Sequence, residues 1–141
     1  MRPIKFRVWE IQDKIMSTAA ELHWTMAGIK WYGPGVGSGW CWLDPEFDWN
    51  QPNCRPRPEY VDILMQFTGL LDTNGVEIYE GDIVFSKRSG NKGQVFWHDE
   101  RGYWEVDCSI TDKYIQPNDD WCDYEVIGNI HENPELLGEK Q

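Results

Sequence analysis

Closely spaced turn signals constrain the second half of this chain more than any other sequence feature. Asp72–Gly75 contains Asn-Gly, a dipeptide that favours the positive φ angles of a tight hairpin turn. Further turns are expected at residues 80–82, 89–93 and 99–102. Short segments with turns between them predict antiparallel strands, an arrangement typical of a small β-barrel.

The segments between these turns carry the pattern of strands. We expect strands at residues 82–86, 94–97, 103–108 and 125–130. Asn133-Pro134-Glu135 predicts a short terminal helix, with a capping residue, a first-turn proline and a first-turn acid. Alternation in 103–108 predicts two faces: core positions Trp104, Val106 and Cys108, and solvent positions Tyr103, Glu105 and Asp107.

The N-terminal part, residues 1–60, is expected to be a small α+β part preceding the barrel at residues 61–141. Ile4–Trp9 alternates as a half-buried strand does. Residues 17–27 fit a short helix, because Glu21 lies three residues after Thr18 as in a capping box. A strand is the competing interpretation of the same residues.

Residues 28–58 are rich in glycine, proline and tryptophan, and they predict a long irregular segment. Tryptophan is enriched at the centres of binding surfaces. We therefore consider this segment a candidate interaction surface, while anchoring of the segment to the core is the simpler explanation. The tryptophans concerned are Trp31, Trp40, Trp42 and Trp49.

Charge is distributed unevenly along the chain. Residues 1–70 carry seven basic and eight acidic side chains, whereas residues 71–141 carry six and sixteen, so almost all of the net charge of −11 lies in the second half. This charge disfavours direct nucleic-acid binding, which depends on clustered Lys and Arg. No apolar run approaches the roughly 18 residues of a membrane span, and no apolar stretch follows the basic N-terminus. We expect a cytoplasmic protein.

The usual signatures of catalytic and metal sites are missing from the sequence. Gly35–Gly39 lacks the third glycine of a dinucleotide loop and the Lys-Ser/Thr of a P-loop. His98 and His131 each precede acidic residues and give a weak metal hypothesis. The four cysteines form no close pair and are expected to be reduced, structural thiols: Cys41, Cys54, Cys108 and Cys122. We expect no cofactor and no catalytic residue.

Three segments together resemble the YopX-like family of phage and prophage proteins. They are residues 66–84, which include Gln66-Phe67-Thr68-Gly69-Leu70 and Ile78-Tyr79-Glu80-Gly81-Asp82, the N-terminal residues 4–9, and residues 126–136. The resemblance implies a C-terminal SH3-like β-barrel with a small N-terminal α+β part, acting inside a bacterial cell. It implies no activity, and residues 28–58 fall outside it as an insertion. We expect the signature to specify a fold rather than a site.

The function expected from these observations is a non-enzymatic interaction module that binds a host or phage protein. Two alternatives rest on the composition: an acidic mimic of nucleic acid, based on the charge of residues 71–141, and a nucleic-acid-binding small barrel, based on the aromatic content. A metal-dependent enzyme built on His98 and His131 is a weaker alternative. The oligomeric state is open.

Overall fold

The architecture comes from a computed structural model that describes residues 4–25, 28–35, 37–43, 61–108, 113–115 and 123–137. Contacts divide these residues into two compact units. Residues 5–66 form the N-terminal unit, and Ile4 with the described residues from Phe67 onward forms the C-terminal unit. The boundary between the two units lies after Gln66.

The N-terminal unit is built from antiparallel strands. β1 pairs with β2 on one side and with the first half of β6 on the other, and β4 lies between β3 and β5 in a three-stranded sheet. The strands are β1 (Phe6–Glu10), β2 (Ile15–Ala19), β3 (Glu21–Thr25), β4 (Gly28–Tyr32), β5 (Ser38–Leu43) and the beginning of β6 (Ile63–Leu71).

The C-terminal unit contains a curled, half-barrel sheet of five antiparallel strands in the order β11-β10-β9-β8-β12. The second half of β6 pairs with β7. Its strands are β7 (Glu77–Tyr79), β8 (Asp82–Ser86), β9 (Lys92–His98), β10 (Tyr103–Cys108), β11 (Lys113–Ile115) and β12 (Tyr124–Asn129). One turn of 3-10 helix, Pro134–Leu136, lies where the short terminal helix was predicted.

The predicted alternation of β10 is confirmed on its inner face and wrong at one outer position. Val106 and Cys108 are fully buried, and Trp104 packs against the same core. Glu105 was expected in solvent, but only 2% of it is exposed. Its carboxylate lies 3.7 Å from Arg101 Nη1, so the buried charge has an opposite charge beside it.

Two other expectations for the N-terminal part differ from the structure. The helix over residues 17–27 is wrong, because the described residues there form β2 and β3. Ser17 instead uses its hydroxyl to donate to Glu10 Oε1 on the neighbouring strand, at 2.5 Å. Residues 28–32 and 38–43, predicted to be irregular, form the paired strands β4 and β5. The fold is mainly β, and no α-helix occurs among the described residues.

The family signature places a buried carboxylate at the centre of a network of backbone hydrogen bonds. Asp72 Oδ1 accepts from the backbone N–H groups of Asn74 and Val76, both at 2.8 Å, and closes the predicted Asn-Gly turn. Asp72 Oδ2 accepts from the backbone N–H of Val126 on β12, at 2.9 Å. This side chain therefore ties the turn to a strand that is distant in sequence.

The same hydrogen bonds set the acidity of Asp72. Burial by itself would raise the pKa of this carboxyl. The three backbone N–H donors outweigh burial, with a smaller contribution from the charge of Lys87, and hold the pKa below its usual range. The ionised form is thus favoured by folding, and its stabilising effect should be lost in acid.

We expect Asp72→Asn to lower the free energy of unfolding by about 1–3 kcal/mol at neutral pH, because an amide offers one acceptor oxygen where two are used. Ionised Asp72 contributes its full stabilisation to the folded state above the pKa of about 3.9 that the carboxyl has in the unfolded chain. This stabilisation is lost as the pH falls through the lower pKa of the folded state. Urea unfolding at a series of pH values should show the wild type and the variant converging in acid. Asp99→Asn, in an exposed turn, is the control and should change stability by less than about 0.5 kcal/mol; a constant difference at every pH would contradict this account.

Candidate interaction surface

The three-stranded sheet of the N-terminal unit sorts its side chains onto two faces. His23 on β3 lies opposite Lys30 on β4, and Lys30 lies opposite Trp40 on β5. Because side chains alternate along a strand, Glu21 and Tyr32 share this face. We call this set of five residues the outer face. The opposite, inner face carries Leu22, Ile29, Trp31 and Cys41.

The outer face carries three aromatic rings, with a cation between two of them. The His23 and Tyr32 rings meet edge to face, with centroids 5.0 Å apart. Lys30 Nζ lies 5.2 Å from the Tyr32 ring centroid and 5.6 Å from that of Trp40. Such cation–π contacts hold a flexible lysine along the rings. Glu21 and His23 are exposed, and the other three side chains are partly buried.

The inner face is fixed by a buried tryptophan. Trp31 is fully buried in a cluster with Val8 and Cys41. Its indole Nε1–H donates to Asp62 Oδ2 at 2.9 Å, and the other oxygen of the same carboxylate accepts from the backbone N–H of Ile11 at 3.1 Å. The backbone N–H of Asp62 in turn donates to the Trp40 carbonyl, at 2.6 Å. Asp62 therefore joins β4, β5 and the turn after β1.

This arrangement leaves no room for a side chain at residue 39. A Cβ on Gly39 would overlap Asp62 Oδ2 and lie 2.5 Å from Trp31 Nε1. Glycine is thus required by the close approach of the carboxylate, and not by an unusual backbone conformation. By contrast, a Cβ on Gly35 would meet nothing within 4 Å.

The same environment makes Cys41 a poor nucleophile. Burial, and then the negative charge of Asp62, raise the pKa of its thiol to about 12. Burial, followed by the charge of Asp107, also raises the pKa of Cys108. Since the thiolate is the reactive form, both cysteines are packing residues, as the sequence predicted for them.

The four tryptophans of the candidate surface fall in different places. Trp40 lies on the outer face. Trp31 is buried on the inner face and contributes to the core instead of the surface. Trp49 and the side chain of Trp42 lie outside the described residues. Sequence analysis missed Tyr32, Lys30 and His23, although the alternation of Glu21–Thr25 and Gly28–Tyr32 could have indicated them.

A small cavity lies beside the β4–β5 connection. It has a volume of about 250 Å³, and its lining consists mostly of small residues: Ser17, Thr18, Trp31, Gly33, Pro34, Gly35 and Gly37. Ligand pockets usually measure about 300–1,000 Å³ and combine apolar walls with convergent polar groups. This cavity is smaller than that and does not assign a ligand.

The histidines of the metal hypothesis serve local turns. His98 Nδ1 accepts from the backbone N–H of Arg101 at 3.2 Å, and the backbone N–H of His131 donates to Asn129 Oδ1 at 3.0 Å. Within the described ranges, no three His, Cys, Asp or Glu side chains group in a way that could hold a metal ion.

Comparison with known proteins identifies the family. The YopX protein family matches residues 5–138, which is nearly the whole chain. The chain belongs to the YopX family. The matched range extends across residues 28–58, and an insertion at these residues stays a prediction. Membership supports the expected phage or prophage origin of the chain.

A solved structure shows the same likeness. The crystal structure of protein EF1440 from Enterococcus faecalis is 27% identical in sequence, with a TM-score of 0.56, and the match covers 97% of this chain and 99% of that one. No curated protein matches the chain. Among the described residues, no helix is long and apolar enough to cross a bilayer.

The close packing around Asp62 gives a matched test. Gly39→Ala should destabilise the N-terminal unit by at least about 2 kcal/mol, because its Cβ displaces either the Asp62 carboxylate or the Trp31 indole. Gly35→Ala should be close to neutral, since its Cβ meets open space. Thermal unfolding followed by tryptophan fluorescence measures both, and equal effects of the two variants would show that the Trp31–Asp62 contact is not formed as described.

Proposed function

We propose that this YopX-family protein is a non-enzymatic interaction module that uses the outer face of its N-terminal sheet to bind a host or phage protein in the bacterial cytoplasm. The outer face carries the proposal. It places two large aromatic side chains and a cation side by side on a rigid sheet, and aromatic residues supply most of the energy at many interfaces.

The inner face supports this proposal because it keeps the outer one in place. Trp31 and Asp62 fix β4 and β5 from beneath, so Tyr32 and Trp40 can meet a partner without much loss of conformational freedom. A rigid surface binds more tightly than a flexible one of equal area. We infer that the C-terminal unit, whose sheet is curled, is an SH3-like small barrel that acts as the scaffold.

The acidic-mimic alternative has less support from the described residues. A mimic needs carboxylates in rows facing solvent, whereas several acids of the C-terminal unit have local partners. Glu125 lies 3.7 Å from Lys87 Nζ, and Asp123 lies 3.7 Å from Arg88 Nη1. Asp72 is used by backbone N–H groups. We therefore retain the interaction module as the proposed function.

The test is affinity purification from phage-infected bacterial cells with the wild type, a Tyr32→Ala/Trp40→Ala variant and a Trp97→Ala control. Trp97 is 43% exposed, more than the partly buried Tyr32 and Trp40, and it lies on β9 in the other unit. A partner retained by the wild type should be retained by the control. Its affinity for the double variant should fall about 30-fold or more, the effect of losing a central aromatic contact.

Circular dichroism spectra must show that all three proteins remain folded. A partner bound equally by the double variant and the wild type would place the binding surface elsewhere. Recovery of no specific protein by the folded wild type would overturn the interaction module itself.

A further inference from the structure

The turn between β6 and β7 holds the one Asn-Gly dipeptide of the chain, Asn74-Gly75. Asparagine is a chemically labile residue, because a backbone nitrogen can attack its side-chain amide and displace ammonia. Glycine at the next position favours this reaction, since it has no side chain to obstruct the attacking nitrogen. Both residues are exposed, and a Cβ on Gly75 would meet nothing within 4 Å. Water and hydroxide can therefore reach the reacting atoms.

The folded turn holds both reacting groups in hydrogen bonds. The Gly75 N–H, whose nitrogen is the nucleophile, donates to the backbone carbonyl of Asp72 at 3.1 Å. The Asn74 side-chain amide, which contains the leaving nitrogen, donates to Glu125 Oε1 on β12 at 3.3 Å. Attack requires the Gly75 nitrogen to lose its proton and turn toward the side chain, so the first hydrogen bond must open. The second must break before ammonia leaves.

The Asp72 carboxylate opposes the same step by its charge. Its Oδ1 accepts from the N–H groups of Asn74 and Val76, the residues on either side of Gly75, both at 2.8 Å. Although burial acts to raise the pKa of Asp72, these bonds and that from Val126 hold it below its usual range. Loss of the Gly75 proton therefore places a negative charge between two amides that contact an ionised carboxylate, and the two charges repel.

We propose that Asn74 is a site of spontaneous deamidation, and that Asp72 slows this reaction while the protein is folded. The Gly75 nitrogen gives its proton to hydroxide and forms a bond to the carbonyl carbon of the Asn74 side chain. The C–N bond of the side-chain amide breaks, and its nitrogen takes a proton from water and leaves as ammonia. Water then opens the resulting succinimide ring at either carbonyl, which yields aspartate or isoaspartate.

Both products change the turn. Each exchanges the amide that donates to Glu125 for a carboxylate, which cannot donate and which repels Glu125. Isoaspartate also adds one carbon to the main chain between the two N–H groups that Asp72 Oδ1 accepts. Deamidation therefore weakens the connection between this turn and β12, and the modified protein should melt at a lower temperature than the unmodified protein.

Peptide mapping by mass spectrometry, after incubation at mildly alkaline pH, tests the site. Asn74 should gain the mass of an exchange of NH₂ for OH. Isoaspartate should be among the products, because direct hydrolysis of the amide without a succinimide gives aspartate alone. Asn91 lies in the turn between β8 and β9 and is followed by Lys92, whose side chain obstructs the attack. It is the internal control and should stay unmodified over the same time.

The rate at Asn74 in different states of the protein tests the restraint. The wild type unfolded in guanidinium chloride should react about tenfold faster than the folded protein, the factor expected from releasing one or two hydrogen bonds. Folded Asp72→Asn should also react several-fold faster, because its amide carries no charge. Val106→Ala, in the core of the same unit, loses stability without touching the turn and should accelerate the reaction less. Fragment spectra separate Asn74 from the asparagine introduced by Asp72→Asn.

The possible results separate the site, the chemistry and the restraint. Equal reaction of Asn74 and Asn91 in the unfolded chain would overturn the site, and a product without isoaspartate would exclude the succinimide. Reaction of the folded wild type as fast as the unfolded chain would overturn the restraint. Equal acceleration by Asp72→Asn and Val106→Ala would show that opening of the whole unit, and not the charge of Asp72, sets the rate.

Discussion

The hydrogen bond between the Trp31 indole and Asp62 is the contact on which the N-terminal unit depends. One carboxylate accepts from the indole of β4 and from the backbone after β1. Both oxygens of this partly buried carboxylate are used, and a charged acceptor makes stronger hydrogen bonds than a neutral one. The same contact requires glycine at residue 39. Burial, and then the charge of Asp62, raise the pKa of Cys41 to about 12.

The Trp31–Asp62 hydrogen bond holds the three-stranded sheet with its inner face packed in the core. The outer face of the same sheet can contact a partner. Tyr32 and Trp40 flank the Lys30 ammonium on the available face, while Trp31, next along the chain from Tyr32, is buried. In the C-terminal unit, Asp72 has a comparable role. Its carboxylate accepts a hydrogen bond from Val126 and so joins the signature segment to β12. The signature residues described around it make structural hydrogen bonds, in keeping with a signature that specifies a fold.

Local sequence patterns predicted the C-terminal unit well, because its turns are encoded in short motifs. A turn forms at the predicted Asn-Gly, although Gly75 has a positive φ (+79°) and Asn74 does not. β8, β9, β10 and β12 lie within a few residues of the predicted strands. The N-terminal unit was harder, since frequent glycine and proline hid the alternation of β4 and β5. Asp62 could not have been identified at all, because its partner Trp31 is 31 residues away in the sequence. Glu105 was misplaced because alternation alone does not show which charges find a partner.

Exchange of the tryptophan indole N–H protons with solvent, followed by NMR on protein labelled with ¹⁵N-tryptophan, tests most directly whether the two faces are assigned correctly. The account predicts that the Trp31 indole proton, buried and donated to Asp62, exchanges among the slowest, and that the proton of the exposed Trp24 exchanges fast. Substitution of Asp62 by Asn should speed the exchange of Trp31 and leave Trp24 unchanged. Exchange of Trp31 as fast as that of Trp24 in the wild type would contradict the account.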